Sequence, residues 1–406
     1  MEINKRLKVT GVKIMRSIAF WPALIAVLFL LLCFLMIWFD FSTVGKSLKE
    51  RLHWLSLKDA TTARSILSTI TAGVISLTVF SFSMVMIVLN QAAGKLSNRI
   101  LDKLIENRFQ QVVLGCYIGT IVYALFLLST IRDVNTGVYV PALSTYVVIA
   151  LTVLDIFLFL YFLHHITQSV KFETVIKRIQ KETYKSITKH SGISDQKNAW
   201  ATSLKGVEIL APESGTYNGF DTKALLKIAE DESLTISFLV KPGDFLLRKT
   251  PLISVNKDEE LPTALLDKIL STIYIFKEEL IEHNYLYGFR QLTEIAVRAL
   301  SPGINDPGTA VESLKALVEL LAFRIENSPA THIVGEAGTF RIVTPTHTFD
   351  ELFYICILPV WDYGKNDRLL QIGIKNSLTE LTRYSDSTCV TSLIKAIKFE
   401  IVKGEF

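Results

Sequence analysis

Few residues in this 406-residue chain are placed to do chemistry. The first is a lone acid. Asp155 stands inside an apolar run from Val140 to Ile166, and the other three long apolar runs carry no acid. An ionised carboxylate at membrane depth costs about 2.5–3.5 kcal/mol. The one basic residue in these runs, Arg64, stands at the edge of the second, so none lies at depth to offset it. The acid is therefore protonated, bonded to hydroxyls such as Thr152 or those of the second apolar run, or in contact with water. It reads either as an ion or proton site or as a protonated packing residue. His164 and His165 follow near the end of the same run. They read as a proton relay or as a solvated interfacial pair.

The second group is a stripe. Thr62, Thr69, Ser76, Ser83 and Asn90 recur every seven residues, and no residue between Arg64 and Lys95 is charged. A seven-residue repeat drifts little around a helix, so the five share one narrow face. Thr69, Ser76, Ser83 and Asn90 then either let helices pack closely through small residues or line a water-filled path in an oligomer. Thr71, Thr78 and Ser81 fall on other faces. Gly115 and Gly119 in the third run add a GxxxG spacing that also favours close packing.

The third group is a turn, SPGINDPG, carrying Asn305 and Asp306 between two helical patterns. Pro and Gly end one helix and start the next. Thr309 with Glu312 offers a capping box. The turn is a structural elbow or a ligand-binding one.

Other chemistry is excluded by pattern. Cys33, Cys116, Cys356 and Cys389 are isolated, so neither a zinc site nor a disulfide framework is indicated. No Walker loop, HExxH or recognisable Ser/His/Asp spacing occurs, so no enzyme, metal or cofactor is expected. The net charge of +4 lacks any basic block interleaved with aromatics, which removes nucleic acid as a partner.

The elements that must position these residues follow from hydropathy. Apolar runs at 18–39, 63–90, 112–131 and 140–166 are each long enough to span a bilayer. The first exceeds a signal-peptide core and ends in bulky MIWFDF, so it reads as an uncleaved helix. Trp21 and Trp38 stand near its ends, where aromatic belts form. Four spans put both termini on one side. That side carries fifteen Lys and Arg against six on the other, so both termini are expected in the cytoplasm. Residues 95–108 are patterned as an amphipathic helix on the membrane surface or as an extension of the second span.

The chain therefore divides into a cytoplasmic N-terminus (1–17), a four-helix transmembrane domain (18–168) and a connecting helix with linker (169–198). A small β-rich domain (199–258) and a mainly helical cytoplasmic domain (259–406) complete it. In the β segment Asp221 is an expected N-cap. APESG and PGDFLLRKTPLISV resemble half-motifs of biotinyl/lipoyl-type hybrid barrels. No lysine between methionines marks a swinging arm, so a spacer or docking module is favoured. Helices are expected at 262–283, 287–299, 309–327, 348–357, 367–384 and 388–402, with a further strand at 339–345.

The strings YGFRQLTEIAVRA and LSPGINDPGTA, with TARSILSTITAG, QVVLGCYIGTIVYAL and VKPGDF, resemble a family of bacterial membrane proteins. It is catalogued as domain of unknown function 2254. The resemblance covers nearly the whole chain and departs at Gly308, where the family often has a bulky residue. It implies an integral bacterial membrane protein with a cytoplasmic C-terminal region, and no activity. The expected fold is thus an α-helical integral membrane protein with four transmembrane helices and a cytoplasmic α+β portion. The expected partners are the lipid bilayer and further copies of the chain. The leading function is an oligomeric channel-like or transport protein with the second span toward the axis and the cytoplasmic portion as sensor. A non-conducting scaffold or signalling protein follows, then an enzyme acting on lipid or a cell-envelope substrate.

Overall fold

The computed structural model describes residues 19–51, 57, 59–95, 108–134, 137–169, 171–190, 206–276, 280–329, 331–335 and 339–403. The chain divides into two compact units, residues 1–171 and 172–406.

The first unit is a helical bundle. It contains α1 (Phe20–Phe41), α2 (Thr43–Arg51), α3 (Ala60–Lys95), α4 (Arg108–Thr130) and α5 (Ala142–Ser169). A hairpin of β1 (Arg132–Val134) and β2 (Gly137–Tyr139) joins the last two. Of these helices α1, α3, α4 and α5 are long and apolar enough to cross a membrane. At 1.5 Å per residue, the 22 residues of α1 reach about 33 Å, the thickness of a hydrocarbon core. A helix is what such a sequence must form there, because only internal backbone pairing satisfies the peptide groups in lipid. Outward faces are apolar: Leu31, Phe34 and Trp38 of α1, Val79 of α3 and Phe157 of α5 are exposed. Contiguous apolar surface of this kind calls for lipid around it. Of the surface segment expected at 95–108, only Lys95 and Arg108 fall within the described residues, as ends of α3 and α4.

Helix α4 is the centre of the bundle and touches α1, α3 and α5. Gly115 and Gly119 explain how α1 approaches so closely. A Cβ on Gly115 would stand 2.7 Å from Ile25 Cδ1, and one on Gly119 would stand 2.6 Å from the Phe29 ring. The GxxxG spacing is therefore a packing seam against α1.

The second unit begins with α6 (Phe172–His190), followed by β3 (Val207–Leu210), β4 (Gly215–Phe220), α7 (Thr222–Asp231), β5 (Ile236–Phe238), β6 (Phe245–Leu246) and β7 (Pro251–Val255). Next come α8 (Thr263–Ser271), β8 (Ile273–Phe276), α9 (Tyr285–Ala299), α10 (Pro307–Glu326), β9 (His332–Val334) and β10 (Phe340–Val343). Helices α11 (Phe349–Cys356), α12 (Leu358–Gly364), α13 (Arg368–Leu381) and α14 (Thr388–Lys403) close it. A five-stranded sheet has the order β3-β7-β5-β10-β9, and a three-stranded sheet the order β6-β4-β8. Tyr217, Leu225, Ile236, Ile253, Ile269 and Ile342 share one core among them.

Three expectations change here. The helix read over 262–283 stops at Ser271, and Ile273–Phe276 pairs as β8 with β4. Its β-branched and aromatic residues suit a half-buried strand once a partner strand is present. Strand β10, within the stretch expected to add a strand, pairs parallel with β5, Ile342 opposite Ile236, so one sheet spans the 258/259 division. Helix α6, read as a connector, buries Ile176, Ile179, Thr183 and Ile187 and packs on α9 and α10. Gly288 of α9 admits it, since a Cβ there would overlap the Thr183 side chain. The expected cap is found at α7, where Asp221 Oδ1 accepts from Ala224 N–H at 3.1 Å.

Candidate functional site

Asp155 lies at the midpoint of α5 and is 1% exposed. No ion pair reaches it among the described residues. The neighbouring hydroxyl is Thr120 of α4, rather than Thr152 or the second span. Thr152 donates to Val148 O of its own helix at 2.8 Å. Asp155 Oδ2 and Thr120 Oγ1 are both buried, face each other and reach no other partner. A buried oxygen left unsatisfied costs about 1–3 kcal/mol.

These two groups belong to a longer series. Helix α4 buries Gln111, Tyr117, Thr120 and Tyr123, spaced along its length by threes and sixes. At one end the Tyr123 hydroxyl reaches Ser144 O of α5 at 3.5 Å. Ser144 donates both N–H and Oγ–H to Asp40 Oδ2, at 2.8 and 2.9 Å. Lys49 Nζ meets Asp40 Oδ1 at 2.8 Å. Asp40 is thus a fully buried carboxylate inside α1, which the assignment of the first apolar run to 18–39 leaves out. It ties α1, α2 and the start of α5 together. Farther along α4, the Tyr117 hydroxyl lies beside Ser81 of α3. Ser81 Oγ and Tyr117 OH are buried, face each other and reach no other partner.

Ser81 and Tyr117 also line a cavity of about 270 Å³ between α3, α4 and α5, with Val113, Met86, Gln111 and Phe162. It occupies the end of the bundle where α3 finishes and α4 begins. Tyr117 and Thr120 are the residues that sequence reading missed, while Ser81 was placed only on a face other than the stripe. For the two on α4 the signal available was the polar spacing on the third apolar run.

The stripe on α3 faces away from its own bundle. Thr69, Ser76, Ser83 and Asn90 are exposed, while Ala63, Leu67, Val74 and Val88 are buried. Each hydroxyl donates to its own backbone four residues back: Thr69 to Ser65 O at 2.8 Å, Ser76 to Ala72 O at 2.9 Å and Ser83 to Val79 O at 2.9 Å. The stripe and Asp155 are not brought together. His164 is exposed, and His165 packs on the Phe109 ring at 4.7 Å between centroids.

The elbow is a cap. Asp306, rather than Thr309, is the N-cap of α10, with Pro307 in the first turn. Asp306 Oδ1 accepts from Thr309 N–H at 3.1 Å and Oδ2 from Thr309 Oγ1 at 2.6 Å. Pro needs no N–H partner at the first helical position, which moves the cap one residue before it. Asn305 is exposed and adopts φ +50°, the left-handed region that Asn tolerates. The capping box instead starts α11, between Thr348 and Glu351.

A second polar centre surrounds the Pro242–Gly243–Asp244 turn. Gly243 has φ +96°. Lys241 Nζ contacts both Glu351 oxygens at 2.6 and 2.8 Å. His347 Nε2 lies 3.0 Å from Pro242 O and must carry the proton to donate. Burial pushes the His347 pKa down, the Pro242 carbonyl opposes this, and Lys241 adds to it. Desolvation works against charge on Glu351, but the Lys241 and Thr348 hydrogen bonds outweigh it and hold its carboxyl below the ordinary range. Arg324 Nη2 donates to His347 O at 3.3 Å and its guanidinium lies 5.6 Å from the Tyr285 ring centroid. The centre joins the sheet layer to the helices. Among the described residues no group of three His, Cys, Asp or Glu side chains could hold a metal ion.

Comparison with known proteins adds the following. The model of a family described as "Predicted membrane protein (DUF2254)" matches residues 15–380. An uncharacterised protein of Mycobacterium tuberculosis and one of Mycobacterium bovis are each 24% identical over 334 residues. That is 79% of this chain and 64% of each relative, so the chain spans just under two thirds of their length. No solved structure matches.

Proposed function

Because the chain belongs to the DUF2254 family of predicted membrane proteins, we propose that it is a channel-like or transport protein passing protons or a small cation by way of Asp155. The observation that carries this is the otherwise unpartnered Asp155–Thr120 pair at the centre of the bundle, within the buried polar series of α4. An ionisable residue at membrane depth is costly and is read by default as a functional site. Asp40 in the same bundle is the contrast, since every partner it needs is in place. In this reading the protein resides in the bacterial inner membrane as an oligomer, with both termini cytoplasmic and the second unit as sensor. The fifteen-to-six Lys and Arg bias supports that orientation.

Flux in reconstituted vesicles tests it. The parent protein is expected to dissipate an imposed proton or cation gradient, and Asp155→Asn to lose most of that flux while folding and assembling normally. Asn keeps the shape and cannot ionise. Unaltered flux in Asp155→Asn would remove the acid from the route. No flux from the parent would overturn transport and favour the second reading, a non-conducting scaffold or signalling protein. That reading draws support from the α3 stripe, whose hydroxyls are satisfied internally and suit a dry contact with another copy.

A further inference from the structure

The cavity between α3, α4 and α5 has a chemistry of its own. Its floor holds Ser81, Tyr117 and Gln111, each no more than 5% exposed. Its rim includes Phe82 and Met86, both exposed on the outer surface of α3. The opening therefore faces sideways, toward lipid. At about 270 Å³ it exceeds the 150 Å³ or so that encloses a benzene molecule. It takes a substituted ring and leaves a tail to run out among acyl chains.

The lining decides what such a molecule carries. Among the described residues it includes no charged side chain. A carboxylate or phosphate would enter without a counter-ion in an apolar medium, at a cost of several kcal/mol. A plain hydrocarbon would leave Ser81 Oγ and Tyr117 OH with no partner but each other. A neutral ring with carbonyl acceptors satisfies both conditions. Gln111 and Tyr117 are six residues apart on α4, about 9 Å along the axis. That span suits a ring bearing carbonyls on opposite sides, one accepting from the Tyr117 and Ser81 hydroxyls and the other from the Gln111 amide.

We propose that this cavity binds the head of a prenylated quinone, a neutral dicarbonyl ring with an apolar tail. Tyr117 and Ser81 hold one carbonyl, Gln111 holds the other, and Phe82, Met86 and Phe162 pack on the ring. The assignment is of binding alone and does not depend on passage of ions past Asp155.

The test is a calorimetric titration of the full chain in nanodiscs with decylubiquinone, corrected for uptake by empty nanodiscs. Saturable binding at one site per chain is expected. Tyr117→Phe and Ser81→Ala should each weaken it about five- to tenfold, the worth of one hydrogen bond. Met86→Trp, a rim change that fills the mouth, should abolish it without touching the floor. Decanoate and decanol, with charged and hydroxyl heads, should compete poorly. Uptake equal to that of empty nanodiscs would overturn the site. So would saturable binding indifferent to all three variants. Competition by decanoate or decanol as strong as by the quinone would overturn the dicarbonyl assignment. The titration uses no gradient, so its result is separate from the flux measurement.

Discussion

Three buried titratable side chains show how environment assigns roles to similar groups. Asp40 is fully buried and satisfied by Lys49 and the Ser144 N–H and hydroxyl, so it works as a clamp. Asp155 has the same chemistry and an oxygen with no such set of partners, which is why the proposed route passes by it. His347 in the second unit is pushed toward its neutral form, chiefly by burial. A His whose folded pKa is depressed contributes stability above its unfolded pKa of about 6.5 and loses it as pH falls through that value. Below it the unfolded chain binds a proton that the folded chain resists. Melting temperature of the full chain in detergent is therefore expected to fall between pH 7.5 and 5.5, by about 2–4 °C for each kcal/mol of linkage. In His347→Gln that part of the slope should vanish. An identical slope in the variant would show that other groups carry the dependence.

At the scale of elements, α3 and α4 divide the packing between them. The seven-residue polar repeat draws attention to α3, yet α3 turns that repeat outward and buries Leu67, Val74 and Val88. Helix α4, with its glycine seam against α1, holds the interior. An outward stripe of small residues in lipid suits close approach of another helix. Cysteine scanning distinguishes the two uses of that face, in a background lacking Cys33 and Cys116. Ser76→Cys and Ser83→Cys are expected to cross-link copies of the chain under mild oxidation, and Val74→Cys is not. Rapid reaction of the Ser76→Cys and Ser83→Cys variants with small aqueous thiol reagents, without cross-linking, would return the water-filled path.

For the whole molecule, orientation is the testable consequence of charge. With four spans and Lys and Arg concentrated on the side of the termini, reporters active in the cytoplasm are expected to work when fused after Lys189 or within residues 96–107. Periplasmic reporters should work after Arg51 or at Asn135. A periplasmic signal from a fusion at the C-terminus would reverse the arrangement. Such a reversal would place the cavity at the opposite face of the membrane while leaving its lining unchanged.

The four membrane-crossing helices were legible in the chain because hydropathy is a local property, summed over about twenty residues. The cap at Asp221 and the helix start at Thr348 were legible for the same reason, since a cap reads residues only three positions away. Family membership was legible too, because strings such as VKPGDF and SPGINDPG are specific without any fold in hand. What the tertiary structure decided is non-local. The pairing of β10 with β5 joins residues more than a hundred positions apart. The cluster of Asp155 with Thr120, and of Tyr117 with Ser81, depends on the rotation of three helices about their own axes. In lipid, both an inward and an outward face of a helix are apolar, so hydropathy cannot fix that rotation. Packing fixes it, through Gly115 and Gly119 against α1 and the Asp40 clamp at the start of α5.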